Sequence, residues 1–289
     1  MPIRAPLLSV ATLRLSLCVG LSLIHPLNAA AQSDEAGKPL WELGIVGVST
    51  TQPAYPGADQ RVQRTIPLPY AIYRGKFLRS ENNTIGLRAL KTSTTEIDIG
   101  FAGSFGSHSS DSRVRQGMPD IGTLVEFGPR LKLELGPATL PLAGTGLLRL
   151  QFPLRGVFDL SDRLRFRGVA FEPELSWGTK TAGGGSWCVN VGALIGSEKL
   201  TDTFYGVDPL YARAGRPAYD AKAGLIAWRA GISGGMRLAP DWFLFAYARV
   251  DTVAGAANRA SPLVQRTTGA SAGIGFTWTL ARSQEKAFD

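Results

Sequence analysis

The chain has 289 residues, 34 of them glycine, with 44% apolar and 19% charged side chains and a formal net charge of +8. The glycines keep no three-residue period, which excludes a collagen-like rod, and the length allows one large β domain or two small domains. Two cysteines, Cys18 and Cys188, are too few for a disulfide-stapled scaffold.

Met1 to Ala31 reads as a secretory signal peptide. Arg4 and Arg14 flank a largely apolar run, Ala29-Ala30-Ala31 supplies small residues for cleavage, and Gln32-Ser33-Asp34 is polar. The run is shorter than the roughly 20 residues that a membrane-spanning helix needs. Leu17 before Cys18 argues against lipoprotein processing. The expected mature chain is therefore a single exported domain over residues 32–289. Loss of Arg4 and Arg14, with no acid lost, lowers the net charge from +8 to +6. Cys188 is then its one thiol.

From Trp41 onwards the apolar period is two, the period of strands. Trp41 to Val48 and Val62 to Tyr73 are strand-like and joined by a loop with Pro53, Tyr55, Pro56 and Gly57. An Arg74-Gly75-Lys76 turn follows, and further strands are expected near 76–90, 95–106, 121–128, 130–136 and 145–155. Leu148, Leu150, Phe152 and Leu154 alternate there with Arg149, Gln151 and Arg155. In the run 163–178 the apolar parity switches after Gly168, which predicts a bulge or a break. The remaining candidates are 186–196, 221–238, 241–251 and 268–280. Gly231, Gly234 and Gly235 leave open a hairpin inside 221–238.

Alternation alone fits a soluble sandwich or a membrane barrel. The runs approach the 9–11 residues of a tilted membrane strand. The polar faces carry glycine and charge, and Trp41, Tyr70, Tyr73, Trp177, Trp242 and Trp278 lie near run ends, as interface girdles do. The expected fold is all-β, a transmembrane antiparallel β-barrel of about 12 strands, with 10 to 14 as the range. Arg149, Arg155, Arg163, Arg165 and Arg167 are expected to meet Glu126, Lys132, Glu134, Glu172 and Glu174 inside it as a charge ladder. That ladder either plugs the lumen or lines an anion-leaning pore.

Catalytic and metal chemistry is thin. His108 is the one histidine after residue 31. His108, Ser110 and Glu126 are the residues a Ser-His-Glu hydrolase would use, but a triad is defined by geometry, and a Ser-rich loop yields His-x-Ser by chance. Asp111, Asp120 and Glu126 facing Arg113 and Arg115 as a structural charge network is the plainer expectation. One histidine and one cysteine make no zinc set. The loops 49–61, 106–120, 197–220 and 252–267 carry Arg, and 49–61 and 197–220 also Tyr, as binding loops do.

Four groups of residues together give the chain a resemblance to the MipA/OmpV family of outer-membrane proteins. They are Pro53-Ala54-Tyr55-Pro56-Gly57; Pro67-Leu68-Pro69-Tyr70 with Arg74 to Arg79; Gly117-Met118-Pro119-Asp120-Ile121 leading to Val125-Glu126; and Tyr205-Gly206-Val207 with Tyr219, then Ser261-Pro262-Leu263-Val264. The similarity runs from Trp41 to Leu280. It implies a barrel in the outer membrane of a Gram-negative bacterium, in contact with outer-membrane lipid, with no cofactor and no catalytic residues. For some members it implies a scaffold that joins a murein synthase to a lytic transglycosylase. Pro53, Tyr55, Pro56, Gly57, Pro67, Pro69, Tyr70, Arg79, Gly117, Asp120, Glu126, Tyr205, Gly206, Val207, Ser261 and Pro262 are the motif or partner-loop candidates. A narrow pore, a surface adhesin and, last, a lipid-modifying hydrolase are the alternatives. The chain departs from a common barrel ending, with Ala281 to Asp289 after Trp278 and Phe288 penultimate.

Overall fold

The computed structural model describes residues 39–74, 78–81, 84–87, 90–141 and 143–286. The expected signal peptide, the Gly75-Lys76 turn and Phe288 lie outside the described residues. The strands are β1 (Trp41–Pro53), β2 (Arg61–Arg74), β3 (Leu78–Glu81), β4 (Thr84–Leu87), β5 (Leu90–Lys91), β6 (Thr95–Ser104), β7 (Leu124–Leu140), β8 (Gly144–Asp159), β9 (Arg165–Phe171), β10 (Glu174–Lys180), β11 (Ser186–Gly196), β12 (Gly224–Ala239), β13 (Trp242–Thr252) and β14 (Thr268–Arg282). One helix, α1 (Glu198–Tyr205), lies among them.

All fourteen described strands belong to one antiparallel sheet, with β1 paired to both β2 and β14. The first and last strands therefore close the wall. The open ends of the pairing order are β4 and β5, which are consecutive in the chain, and β4 lies beside β6. β9 and β10 both pair with β8 on one side and β11 on the other. With β4–β5 and β9–β10 each taken as one interrupted strand, the fourteen segments reduce by two to twelve staves, as the periodicity predicts.

Successive side chains of a strand point to opposite faces, so a barrel stave turns one parity inward and one outward. Along β1, Gly44, Val46, Val48 and Thr50 are buried and the residues between them are more open. Leu135, Leu154, Val191, Trp228, Ile232, Ile274 and Leu280 form an outer apolar band, each about half exposed. A soluble protein would hide such a surface; a lipid-facing barrel wall requires it. Trp41, Tyr73, Trp242 and Trp278 ring one end; the rings of Trp242 and Trp278 stack at 5.4 Å. Two expected girdle residues do otherwise. Tyr70 turns into the lumen and meets Thr279 Oγ1 at 2.7 Å. Trp177 is buried and donates to Ala138 O at 2.8 Å, in space that Gly146 leaves beside it.

The strands differ from the sequence expectation in three places, at 76–90, at 121–136 and at 163–178, the last divided into β9 and β10, and the hairpin left open inside 221–238 does not form. The runs 121–128 and 130–136 are one strand, β7, because Pro129 keeps its place opposite Ile99 and interrupts only the ladder to β8. The run 221–238 is the single strand β12, and 76–90 divides into β3, β4 and β5. The parity switch at Gly168 is a bulge: Val157 pairs with Gly168 but Phe158 with Phe166. Gly168 has φ +120° there, which glycine accepts without a Cβ clash.

Candidate functional site

The short connections, 141–143, 181–185 and 240–241, lie at the end that holds both described termini. The long ones, 54–60, 105–123, 197–223 and 253–267, emerge together at the other end. There they fold into a cap with its own apolar core, including Tyr55, Met118, Ile121, Leu200, Phe204, Tyr205, Val207 and Leu263.

Hydrogen bonds to backbone groups hold the cap together. Tyr55 donates its hydroxyl to Leu263 O at 2.8 Å, and Tyr205 donates to Pro56 O at 2.9 Å. Ser261 donates to Tyr205 O at 2.7 Å. The backbone N–H groups of Gln265 and Arg266 both reach Gly57 O. Gly57 has φ +91°, the positive region that suits glycine. Asn258 accepts from Lys222 N at 2.8 Å and donates to Lys222 O at 2.7 Å. Arg115 donates to Phe204 O and Pro119 O, and its guanidinium lies 5.7 Å from the centre of the Tyr55 ring. Arg216 reaches the carbonyls of Tyr211, Val114 and Gln116. Buried arginines that donate to carbonyl oxygens tie loops together. Burial pushes the Tyr55 hydroxyl up to about 12 and raises that of Tyr205 too, and it lowers Arg115.

Below the cap, charged side chains cross the lumen. Arg155 pairs with Glu126 at 3.0 Å and also with Glu172. Arg229 pairs with Glu172 and with Asp251 at 3.3 Å, and Arg249 meets Asp251 at 3.1 Å. A second cluster joins Arg130 to Asp98 at 2.8 Å and Lys132 to Glu96 and Asp98, and Arg149 lies 3.5 Å from Glu134. On the opposite wall Val46, Val48 and Phe245 pack with Leu68, Tyr70 and Phe243. Gly273 and Gly275 leave space for the Tyr247 and Phe245 rings to lie across that wall. Between cap and charges lies a chamber of about 130 Å³.

The sequence-predicted residues divide between these parts. Pro53, Tyr55, Pro56, Gly57, Tyr205, Gly206, Val207, Ser261 and Pro262 come together in the cap. Gly117, with φ +82°, turns the loop that sets Met118 and Ile121 into its core. Glu126 belongs to the lumen network. Pro67 and Pro69 are exposed on β2, opposite Gly47 and Ile45, and Tyr70 faces the lumen. Arg79 lies in β3, and its side chain is outside the described residues. Asp120 is exposed, accepting from Ser109 N at 2.7 Å and meeting His108 Nδ1 at 2.8 Å.

That last contact corrects two expectations. His108 is bonded to Asp120, Ser110 to Asp111 and Glu126 to Arg155, so the His108–Ser110–Glu126 set is not assembled. The network of Asp111, Asp120 and Glu126 with Arg113 and Arg115 does not form either, because Arg115 is spent on carbonyl oxygens. The charge ladder holds for Arg149 and Arg155. Arg163 instead caps a turn with φ +50°, and Arg165 and Arg167 bind Asp162 and Asp159 at the hairpin tip. Asp98, Arg130, Arg229, Arg249 and Asp251 belong to the lumen networks but were not singled out from sequence. Their signal was the inward parity of β6, β7, β12 and β13. Among the described residues no group of three metal-ligating side chains occurs.

The chain is similar in structure to an outer membrane channel from Pseudomonas putida F1, with TM-score 0.43, 10% identity, and 86% of this chain and 98% of that chain covered. It is also similar to the translocator domain of the autotransporter NalP from Neisseria meningitidis, with TM-score 0.42, 12% identity and coverage of 85% and 90%. Likeness at this level says nothing about function. No curated protein matches the chain. The model of one family, described as MltA-interacting protein MipA, matches residues 45–280. With a lipid-facing barrel wall and that match over most of its length, the chain belongs to the MipA family of outer-membrane proteins.

Proposed function

We propose that this protein is a non-catalytic scaffold of the outer membrane that binds murein-synthesising and murein-cleaving enzymes on its periplasmic side. The observation that carries this reading is what fills the barrel among the described residues. A folded cap covers one end and ion pairs cross the space beneath it. A barrel whose interior is spanned by a cap and ion pairs offers partners its outer surfaces. The family description names an MltA-interacting protein, which supports an enzyme partner. Barrels of this kind place short turns in the periplasm and long loops outside. That orientation turns the cap outward and offers periplasmic enzymes the rim with Lys180, Arg237, Asp241 and Arg282.

Crosslinking in intact cells, followed by outer-membrane extraction, tests the proposal. Recovery of a murein synthase or lytic transglycosylase on the bait is the expected result. A bait that reaches the outer membrane without either enzyme overturns it. One observation favours a surface-binding role as a second reading: Leu210 is 81% exposed on the cap, on a turn capped by Asp208. Protease shaving of whole cells that cuts within 197–220 would support it, and protection of that loop would rule it out.

A further inference from the structure

The chamber under the cap has a composition that the scaffold reading does not use. Its roof is apolar, with Tyr55, Leu200 and Phe204, and its floor is the charged belt. Its volume of about 130 Å³ is close to that of engineered cavities that hold one benzene, about 150 Å³.

The charges around it do not balance. Arg155, Arg229 and Arg249 face four acids, Glu126, Glu172, Glu174 and Asp251. Each arginine is engaged: Arg155 with Glu126 and Glu172, Arg229 with Glu172 and Asp251, Arg249 with Asp251. Glu174 is left over. Its oxygens accept from two neutral amides, Gln151 Nε2 and Asn190 Nδ2, each at 2.6 Å. It is 8% exposed. A second group points to a ligand independently. The Ser233 hydroxyl lines the same chamber, is 5% exposed as a residue, and has no hydrogen-bond partner among the described residues. A hydroxyl is both donor and acceptor, and a buried one without a partner is rare.

We propose that this chamber binds a small organic monocation, an ammonium group on a compact apolar body, with Glu174 as its counter-ion. A carboxylate enclosed without an opposite charge is strongly disfavoured, and a bound ammonium removes that penalty. Ser233 accepts one further ammonium proton. The apolar body lies under Leu200 and Phe204, where aromatic faces also attract a cation. Anions are excluded by the net negative lining. The proposal does not depend on the murein reading, since an empty or occupied chamber is compatible with any partner at the rim.

The test uses the full barrel in detergent, with benzylammonium as the probe, benzyl alcohol as its neutral isostere and benzoate as its anionic one. Calorimetric titration is expected to give saturable benzylammonium binding, at least about tenfold tighter than either isostere, since tenfold corresponds to one lost charge-assisted contact. Glu174→Gln is expected to weaken it about tenfold while the heat-modifiable gel mobility of a folded barrel is kept. Equal binding of benzyl alcohol overturns the proposal, because it makes Glu174 neutral and the chamber merely apolar. Displacement of the probe by equal concentrations of potassium ion overturns it as well. If Glu174→Gln does not fold, Ser233→Met decides: it fills the chamber without touching a charge, and binding that survives it lies elsewhere and sinks the idea.

Discussion

Asn258 is uncharged and almost wholly enclosed, 2% exposed, and its amide bonds both backbone groups of Lys222. That pairing joins the 253–267 loop to the segment before β12. Asn258→Ala leaves the Lys222 N–H without its partner and Lys222 O with the Thr201 hydroxyl alone, which costs about 1–3 kcal/mol. Urea unfolding from lipid vesicles measures it, and a change below about 0.5 kcal/mol contradicts the assignment. The His108–Asp120 pair titrates in the opposite sense at its two ends. The hydrogen bond and charge of Asp120 raise His108 above 6.5, while the Ser109 N–H and then His108 hold Asp120 down at about 2. The raised histidine contributes fully below 6.5 and loses its contribution as pH climbs through its folded value. The depressed aspartate contributes above 3.8 and loses its contribution as pH falls towards 2. The pair is therefore complete between about pH 4 and 6.5. An NMR titration should put the His108 midpoint above 6.5, and Asp120→Asn should bring it back.

Two glycines of the cap loops separate backbone from packing effects at the scale of the element. Gly57 and Gly117 both have positive φ, +91° and +82°. A Cβ on Gly57 would lie 3.2 Å from Val264, whereas one on Gly117 meets nothing within 4 Å. Gly117→Ala should cost the backbone strain alone, about 1 kcal/mol. Gly57→Ala should cost clearly more and expose the 253–267 loop to protease, since its Cβ also presses on Val264 of that loop. Equal effects would show that Val264 gives way freely. The lumen belt acts through several staves at once. Glu172→Ala leaves Arg155 with Glu126 alone and Arg229 with Asp251 alone, so it should cost less than the about 3–5 kcal/mol of stranding a buried charge outright, read as a lower temperature for the gel-mobility shift.

Over the whole molecule, cap and belt are two barriers in series. Replacing the 208–220 segment by a short Gly-Ser link opens only the first. Conductance across a planar bilayer should therefore stay near zero in the native barrel and in that deletion. It should rise only when Glu172→Ala and Arg155→Ala are added. A large steady conductance of the native protein would contradict the closed lumen and favour a pore.

Much of this was legible in the chain. A period of two, held from Trp41 to Leu280, leaves one apolar and one polar face per strand, and export leaves a lipid-facing barrel as the structure that satisfies both. The irregularity at Gly168 and the meeting of Arg149 and Arg155 with acids inside the barrel follow from parity, because side chains of inward parity share the lumen. What parity cannot give is register and long-range contact. Arg163, Arg165 and Arg167 share one pattern in the sequence, yet a turn with φ +50° and +60° at Arg163 and Leu164 carries Arg163 off the strand, and Arg165 and Arg167 meet the acids of the hairpin tip instead of the ladder. Tyr55, Tyr205, Asn258 and Arg216 look like solvent-facing binding residues in their loops. They are buried because four loops far apart in sequence emerge at the same end of one closed sheet. The loops supply these side chains, and only the closed sheet brings them within hydrogen-bonding distance.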